Sequence, residues 1–399
     1  MAAAPRPFRL QVPDEVLADL QARLRLTRWP DEPVGEAWSS GTSLAYLREL
    51  AAYWQGRFDW RAQEAGLNRL RQFTVAVDGI DLHYIHEPGV GPEPMPLLLC
   101  HGWPGSVLEF LEIVPMLTDP ARHGGDPADA FTIVAPSLPG YTLSYRPGQA
   151  RFGAEEMAGT LHTLMREILG HERFAVQGGD WGSLVATLLG LRWPGEIIGI
   201  HLNMLSLRRD AEARAHPTDE ERAFHDEARR WIREEGGYQA IQATKPQTLA
   251  YGLTDSPVGL AAWIVEKFRT WSDCDGHPEN AVSRDRMLAN VMLYWSSGAI
   301  GSSFWPYYAR LHSPWPLPAG SQVSVPVGYA EFPAELVRPP RSLAARTYSD
   351  IRQWTHMPKG GHFAALEQPE ALAEDIRTLF RPLRARAGEA SGESRTHGH

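Results

Sequence analysis

Asp180 stands in the run Gln177-Gly178-Gly179-Asp180-Trp181-Gly182-Ser183, with small residues two before it and two after it, at Gly178 and Gly182. That spacing marks a nucleophile elbow, a strained strand-to-helix turn that lifts one side chain above the carboxyl end of a sheet. Serine is the usual occupant, and a carboxylate in its place changes the chemistry. Aspartate suits attack on an sp3 carbon, because the ester it forms can be cleaved at its own carbonyl in a second step. The second step needs a base, and the base needs an acid to orient it. His362 follows two glycines in Lys359-Gly360-Gly361-His362-Phe363, which give a loop room to aim the ring. Two candidate acids, Glu331 and Glu335, flank Phe332-Pro333-Ala334 ahead of it. Carboxylate, acid and histidine thus follow in the chain order that an elbow fold uses.

An ester intermediate also needs donors for its carbonyl oxygen. The segment His101-Gly102-Trp103-Pro104-Gly105-Ser106 follows an early apolar strand. Its Trp103 N–H, together with that of Trp181 directly after the nucleophile, is the expected oxyanion pair. His101 reads as a packed loop residue rather than a catalytic one. HExxH, Walker and dinucleotide fingerprints are missing from the sequence, so neither a metal nor a cofactor is expected.

The elements around these residues alternate as a mostly parallel sheet requires. Phe73 to Val77 and Ile80 to Ile85 alternate about the turn Asp78-Gly79 and read as a hairpin. Pro96 to Cys100, Phe131 to Ala135, Phe174 to Val176 and Ile197 to Leu202 are short apolar runs, as in strands buried on both faces. Helices are expected over 13–27, 43–54 and 154–169, and after the elbow. Alternation stops over 206–318, where charged and aromatic helical segments predict a lid inserted between two strands. It resumes at Val323 to Ala330, Gln353 to Met357 and a last helix over Glu367 to Phe380. The expected organisation is an N-terminal extension over 1–72 that wraps the core, a core over 73–205 and 319–384, the lid, and a disordered polar tail over 385–399. Trp38, Tyr46, Tyr53, Trp54, Phe58 and Trp60 are read as the residues that pack the extension down.

Composition narrows the class. The 399 residues are 43% hydrophobic and 22% charged with a formal charge of -9, globular values without the basic stripe a nucleic-acid partner would need. Cys100 and Cys274, far apart and in no CxxC pattern, suggest neither a disulfide framework nor a zinc site and fit a reducing compartment. The N-terminus lacks a signal-peptide core and no apolar run reaches the length of a membrane span, so a soluble cytoplasmic protein is expected.

Taken together, these segments resemble the microsomal-type epoxide hydrolases, an α/β-hydrolase family with an N-terminal extension and a helical lid. The resemblance runs to about residue 383. It rests on Pro7-Phe8-Arg9 and Thr27-Arg28-Trp29-Pro30, the 101–106 and 178–183 motifs, and Gln242 to Pro246, Asp255 to Ala262 and Leu293 to Gly298 in the lid. After the lid it takes in Phe332 to Leu336 and Gly360 to Ala365. The resemblance implies Asp180 as nucleophile, His362 as base and Glu335, rather than Glu331, as acid. It also implies two lid tyrosines, Tyr238 and Tyr307, with the adjacent Tyr308 an alternative for the second. A phenol with a pKa of about 10 stays protonated at neutral pH and can donate to an epoxide oxygen that is becoming an alkoxide. Mammalian members of that family carry an N-terminal membrane anchor; no such anchor is seen at the start of this sequence, and membrane association is not expected from the resemblance.

The implied reaction is conversion of a small-molecule epoxide, apolar and with aryl-bearing ones included to judge from the aromatic lid, to a vicinal diol without a cofactor. Haloalkane dehalogenase shares an elbow aspartate followed by Trp and is the nearest alternative; a non-catalytic binding member of the fold is another. The particular epoxide, its biosynthetic or detoxifying role and a homodimeric state stay open at this level.

Overall fold

The computed structural model describes residues 4–35 and 37–393. Among the described residues, nine strands form one sheet: β1 (Arg6–Phe8), β2 (Gln72–Val77), β3 (Ile80–Glu87), β4 (Met95–Cys100), β5 (Phe131–Pro136), β6 (Phe174–Gly178), β7 (Ile197–Leu202), β8 (Val327–Glu331) and β9 (Ile351–His356). Their spatial order is β1-β2-β3-β5-β4-β6-β7-β8-β9. The first three pair antiparallel, and β3 meets β5 antiparallel; from β5 to β9 every pairing is parallel. The β2–β3 hairpin closes through Asp78 and Gly79, at φ of 48° and 78°, the two left-handed residues that a tight primed turn demands. The chain is an α/β hydrolase in architecture: β4 to β7 are almost wholly buried, as apolar runs in the middle of a parallel sheet must be.

Helices cover both faces. On β7, Ile200 points to Gly190 of the helix Asp180–Arg192, whereas a Cβ on its neighbour Gly199 would lie 3.3 Å from Phe380 of the helix Pro369–Glu393. Adjacent strand residues face opposite sides, so these two helices sandwich the sheet. The helix Asp180–Arg192 is buried from Trp181 to Gly190. It is hydrophobic all round, which is why its amphipathic signal is weak.

Between β7 and β8 the chain makes a helical insertion whose principal helices are Asp219–Glu235, Gly237–Thr244, Pro246–Asp255, Pro257–Trp271, Arg284–Ser297 and Trp305–His312. Before β2, the helices Asp14–Arg25, Leu44–Gly56 and Trp60–Leu67 pack against this insertion. Polar ties reinforce the contact: Arg23 Nη1 reaches Asp255 Oδ1 at 2.6 Å, Tyr53 OH reaches Asp285 Oδ1 at 2.8 Å, and Arg284 Nη2 reaches Glu49 Oε1 at 2.6 Å. Of the aromatic set read from the sequence, Tyr46, Trp54 and Trp60 are buried, and the hydroxyl of Tyr46 lies 3.2 Å from Glu279 of the insertion. The extension therefore braces the lid as well as joining the sheet edge through β1.

Four local expectations differ from the structure. The strand expected from Val323 starts only at Val327, after Pro326, with Val323 left as an isolated bridge to Tyr348. Proline lacks the N–H that a ladder needs. The helix expected over 154–169 is α-helical over Ala154–Thr163 and widens to a π-turn at Leu164–Ile168. The last helix divides at Gln368 into Ala364–Glu367 and Pro369–Glu393, because the residue before a proline is steered out of the helical region. Of the tail expected to be disordered over 385–399, residues 385–393 instead continue the helix Pro369–Glu393, and residues 394–399 lie outside those described.

Candidate active site

Each reactive segment emerges from the carboxyl end of a parallel strand: 101–106 after β4, Asp180 after β6, Glu335 after β8 and His362 after β9. This is where a doubly wound sheet gathers its binding residues. The elbow is tightly specified. Asp180 has a φ of 48°, a left-handed conformation unusual for a residue with a side chain. A Cβ on Gly178 would lie 2.3 Å from the Gly182 carbonyl oxygen, and one on Gly182 would lie 2.1 Å from the Cys100 carbonyl oxygen. Only glycine fits either position. Gly102 is equally constrained, since a Cβ there would lie 2.2 Å from Asp180 Oδ1.

The Asp180 carboxylate is divided between two partners. Its Oδ1 accepts the Trp103 backbone N–H at 2.8 Å, while its Oδ2 lies 3.5 Å from His362 Nε2. Trp181 sits in the first turn of the elbow helix, where backbone N–H groups have no intrahelical acceptor. On the far side of the imidazole, Nδ1 lies 2.7 Å from Glu335 Oε1, which also accepts the Leu336 N–H at 2.7 Å. Glu331 is engaged elsewhere: its Oε2 accepts the Trp354 indole N–H at 2.9 Å and its Oε1 lies 3.4 Å from His356. Burial alone would lower the basicity of His362, but Glu335 and Asp180 on either side outweigh it and hold the imidazole well above its ordinary value.

Packing behind these groups fixes their aim. The His362 N–H donates to the Trp271 carbonyl at 2.8 Å. Asn203, just past β7, takes a hydrogen bond from Gln177 at 2.9 Å and reaches the His362 carbonyl at 3.5 Å, tying the histidine loop to the elbow strand. His101 behaves as a structural residue. Its Nε2 accepts the Leu138 N–H at 3.1 Å, so Nδ1 carries the proton that reaches the Gly102 carbonyl at 3.0 Å. Burial depresses this imidazole to about 4, keeping it neutral.

Two helices of the insertion carry tyrosines to the indoles of Trp103 and Trp181 beside Asp180. Tyr238 stacks flat on the Trp103 indole, 5.3 Å between centroids, and Tyr307 meets the Trp181 indole edge-on at 4.8 Å. The two phenol rings are 5.8 Å apart. Burial, with the charge of Asp180 adding to it, holds both phenols above their ordinary value, so both keep their protons. Tyr308 faces away: it is half-buried and stacks on His312 at 3.9 Å and Trp305 at 4.7 Å. The structure thus brings Asp180, His362, Glu335, Tyr238, Tyr307, Trp103 and Trp181 into one cluster and leaves Glu331 and Tyr308 out of it.

Comparison with known proteins bears on what this cluster belongs to. Residues 5–110 match the family model described as epoxide hydrolase N terminus, and residues 95–235 match the alpha/beta hydrolase fold. Epoxide hydrolase 1 of Oryctolagus cuniculus is 37% identical, covering 93% of this chain and 87% of that one. A Stigmatella aurantiaca protein with a provisional epoxide hydrolase name is 42% identical, over 95% of this chain and 86% of its own. The chain belongs to the epoxide hydrolase family. Among solved structures, juvenile hormone epoxide hydrolase from the silkworm Bombyx mori superposes with a TM-score of 0.87 at 31% identity, covering 96% of each chain. Aspergillus niger epoxide hydrolase gives 0.81 at 30% identity, covering 95% of this chain and 97% of that one. These epoxide hydrolase relatives favour the epoxide over the dehalogenase and binding-protein alternatives.

Sequence reasoning passed over two residues beside the cluster. Buried Lys267, paired with Glu266, holds its Nζ 4.5 Å from the Tyr238 ring centroid, a cation on the face of a phenol. Glu109 reaches back over Gly105 from a short turn, Val107–Phe110. Its sequence signal is slight: an acidic residue three positions after Ser106, which caps that turn. Among the described residues, no group of three or more His, Cys, Asp or Glu side chains is arranged to hold a metal, and no helix is long and apolar enough to cross a membrane.

Proposed function

We propose that this epoxide hydrolase converts an apolar epoxide and water to a vicinal diol through an ester on Asp180. The observation that carries the reading is the division of the Asp180 carboxylate, with Oδ1 on the Trp103 amide and Oδ2 free to attack beside His362. Oδ2 attacks a ring carbon and the C–O bond opens. The alkoxide takes a proton from Tyr238 or Tyr307, leaving a phenolate. Oδ1 becomes the ester carbonyl oxygen, already in place at the Trp103 N–H, with the Trp181 N–H as its second donor.

The charge of Asp180 couples the two steps. While Asp180 is anionic it helps to keep His362 protonated. Esterification removes that charge and lowers the basicity of the ring, so its proton passes to the phenolate, restoring the phenol, and the neutral imidazole is free to act as a base. Water then attacks the ester carbon as His362 Nε2 takes one of its protons, with Glu335 holding the imidazolium. Collapse of the tetrahedral centre releases the diol with the proton from His362, and the proton left on the Asp180 carboxyl returns to His362, restoring the resting pair. The aromatic floor formed by Trp103, Trp181 and the two tyrosines supports an apolar substrate. We place the reaction in the cytoplasm, which two buried free cysteines suit.

The test is the intact mass of His362→Gln after exposure to aryl and alkyl epoxides and to chloroalkanes. An added mass equal to a whole epoxide on the peptide holding Asp180 is expected. An adduct from a chloroalkane alone, lighter by HCl, would move the chain to dehalogenase chemistry.

A further inference from the structure

Directly behind the nucleophile lies a small cavity with about 20 Å³ open to the centres of water-sized spheres, lined by Asp180, His362, Glu109, Gln177 and Asn203 among others. That is room for roughly one water, and a water is stable there only with at least two polar partners. Asp180 and His362 are accounted for by the two-step reaction. Glu109 is not. A Cβ placed on Gly105 would lie 1.5 Å from Glu109 Oε1, so the carboxyl occupies the space that the absent side chain leaves beside the Trp103-Pro104 loop.

We propose that Glu109 positions the hydrolytic water, accepting a hydrogen bond from it in this cavity while His362 takes the other proton. The proposal rests on the two-step reading above and concerns its second step alone. The water oxygen bonds to the ester carbon of Asp180, one proton moves to His362 Nε2, and the second stays on the oxygen, directed at Glu109. Glu109 itself neither gains nor loses a proton. With two acceptors fixed, the lone pair of the water is aimed rather than left to chance.

The electrostatics run in the same direction. Removal from water pushes the Glu109 carboxyl up to about 8; His362 opposes the shift, Asp180 adds to it and the Ser106 N–H opposes it. With Asp180 esterified and His362 neutral, neither charge acts on the carboxyl and burial keeps it protonated, so its carbonyl oxygen is the acceptor offered to the water. Held neutral by burial, it does not compete with Asp180 as a nucleophile.

The experiment is pre-steady-state kinetics of Glu109→Leu and Glu109→Gln with an epoxide that the wild-type enzyme turns over. In E109L, decay of the Asp180 ester should slow about 10- to 100-fold, the cost of one lost hydrogen bond to a reacting group. Formation of the ester should keep its wild-type rate. As a result kcat and KM fall together, kcat/KM is unchanged and the adduct accumulates on the wild-type nucleophile. E109Q keeps an acceptor oxygen and should fall between. Gly105→Ala, which displaces the carboxyl without removing it, should slow ester decay in the same way and serves where the Glu109 variants fold poorly. Ester decay at the wild-type rate in E109L and G105A would overturn the proposal, as would equal slowing of both steps. If His362→Gln traps an ester and E109L does not, the role of Glu109 fails alone; if His362→Gln traps nothing, the two-step reading fails with it.

Discussion

Replacing the lid tyrosines one at a time should separate ring opening from ester hydrolysis. Tyr238→Phe and Tyr307→Phe keep the rings that stack on Trp103 and Trp181 and remove only the hydroxyls. Each hydroxyl would donate to an oxygen acquiring charge, and a hydrogen bond to a charged group is worth about 1.5–3 kcal/mol, or about 10- to 150-fold in rate. Both phenols are buried and protonated, so neither variant should be much milder than the other. Their rings are 5.8 Å apart, close enough for the survivor to take over part of the load. The double variant should therefore lose a factor different from the product of the single losses. Single-turnover stopped flow reports the step directly, because Trp103 and Trp181 touch the groups that react. Ester formation should slow in each single variant while ester decay keeps its rate. Tyr308→Phe, on the outward side against His312, should change neither step by more than about 2-fold. Wild-type ester formation in both Y238F and Y307F would refute the reasoning, and a slow Y308F beside a normal Y307F would transfer the role to the neighbouring residue.

The other half-reaction, the elbow and the buried histidines give three further tests. Glu335→Gln retains an oxygen for His362 Nδ1–H and the Leu336 N–H but loses the charge, which at an effective dielectric near 20 is worth up to about 4 kcal/mol. Ester decay should slow about 10- to 1000-fold with kcat/KM unchanged, and an equal fall in kcat/KM would argue against an orienting acid. Gly182→Ala puts a Cβ 2.1 Å from a backbone oxygen that cannot yield, so it should cost more than about 3 kcal/mol and be seen as a collapse in Tm. Gly66→Ala, in an open helical position 3.8 Å from the end of a flexible arginine, should be neutral or mildly stabilising. Burial holds His83 near 3, so the folded protein refuses a proton that the unfolded chain takes below about pH 6.5. Its contribution to stability is complete above that pH and is lost at about 1.4 kcal/mol per pH unit as pH falls towards 3. The stability gap between wild type and His83→Gln should thus narrow from pH 7 to pH 5 in denaturant titrations; a constant gap would contradict the assigned neutrality.

What could be read from the sequence divides along a physical line. Strands β4 to β7 were legible because a strand buried on both faces leaves an unbroken apolar run, and the hairpin because Asp78-Gly79 has one favoured turn. Strand β1 was not: Arg6-Pro7-Phe8 is three residues long and contains a proline, and only pairing with β2 makes it a strand. The elbow, the 101–106 loop and the histidine loop were legible for a related reason. In the elbow and the 101–106 loop the glycines are demanded by contacts within a few residues or with the adjacent strand end, whereas Gly361 of the histidine loop is pressed against Trp271 to Asp273 of the insertion.

Choices that depend on where a side chain turns after its strand ends were out of reach. Glu331 and Glu335 follow the same strand four residues apart, and pattern alone could not rank them. The fold does so because β8 ends at Glu331, whose carboxylate is spent on Trp354 and His356 of the neighbouring strand, while the chain needs four more residues to return over the imidazole. The ties between extension and lid are more distant still; Arg23 and Asp255 are 232 positions apart. Glu109 combines both difficulties, since its relation to Asp180 exists only once β4 and β6 lie side by side and Gly105 leaves a gap for it. A glycine in a loop usually signals a demanded backbone conformation. At Gly105 the missing side chain matters instead for the space it vacates, and a carboxyl four residues on has moved into that space beside the nucleophile.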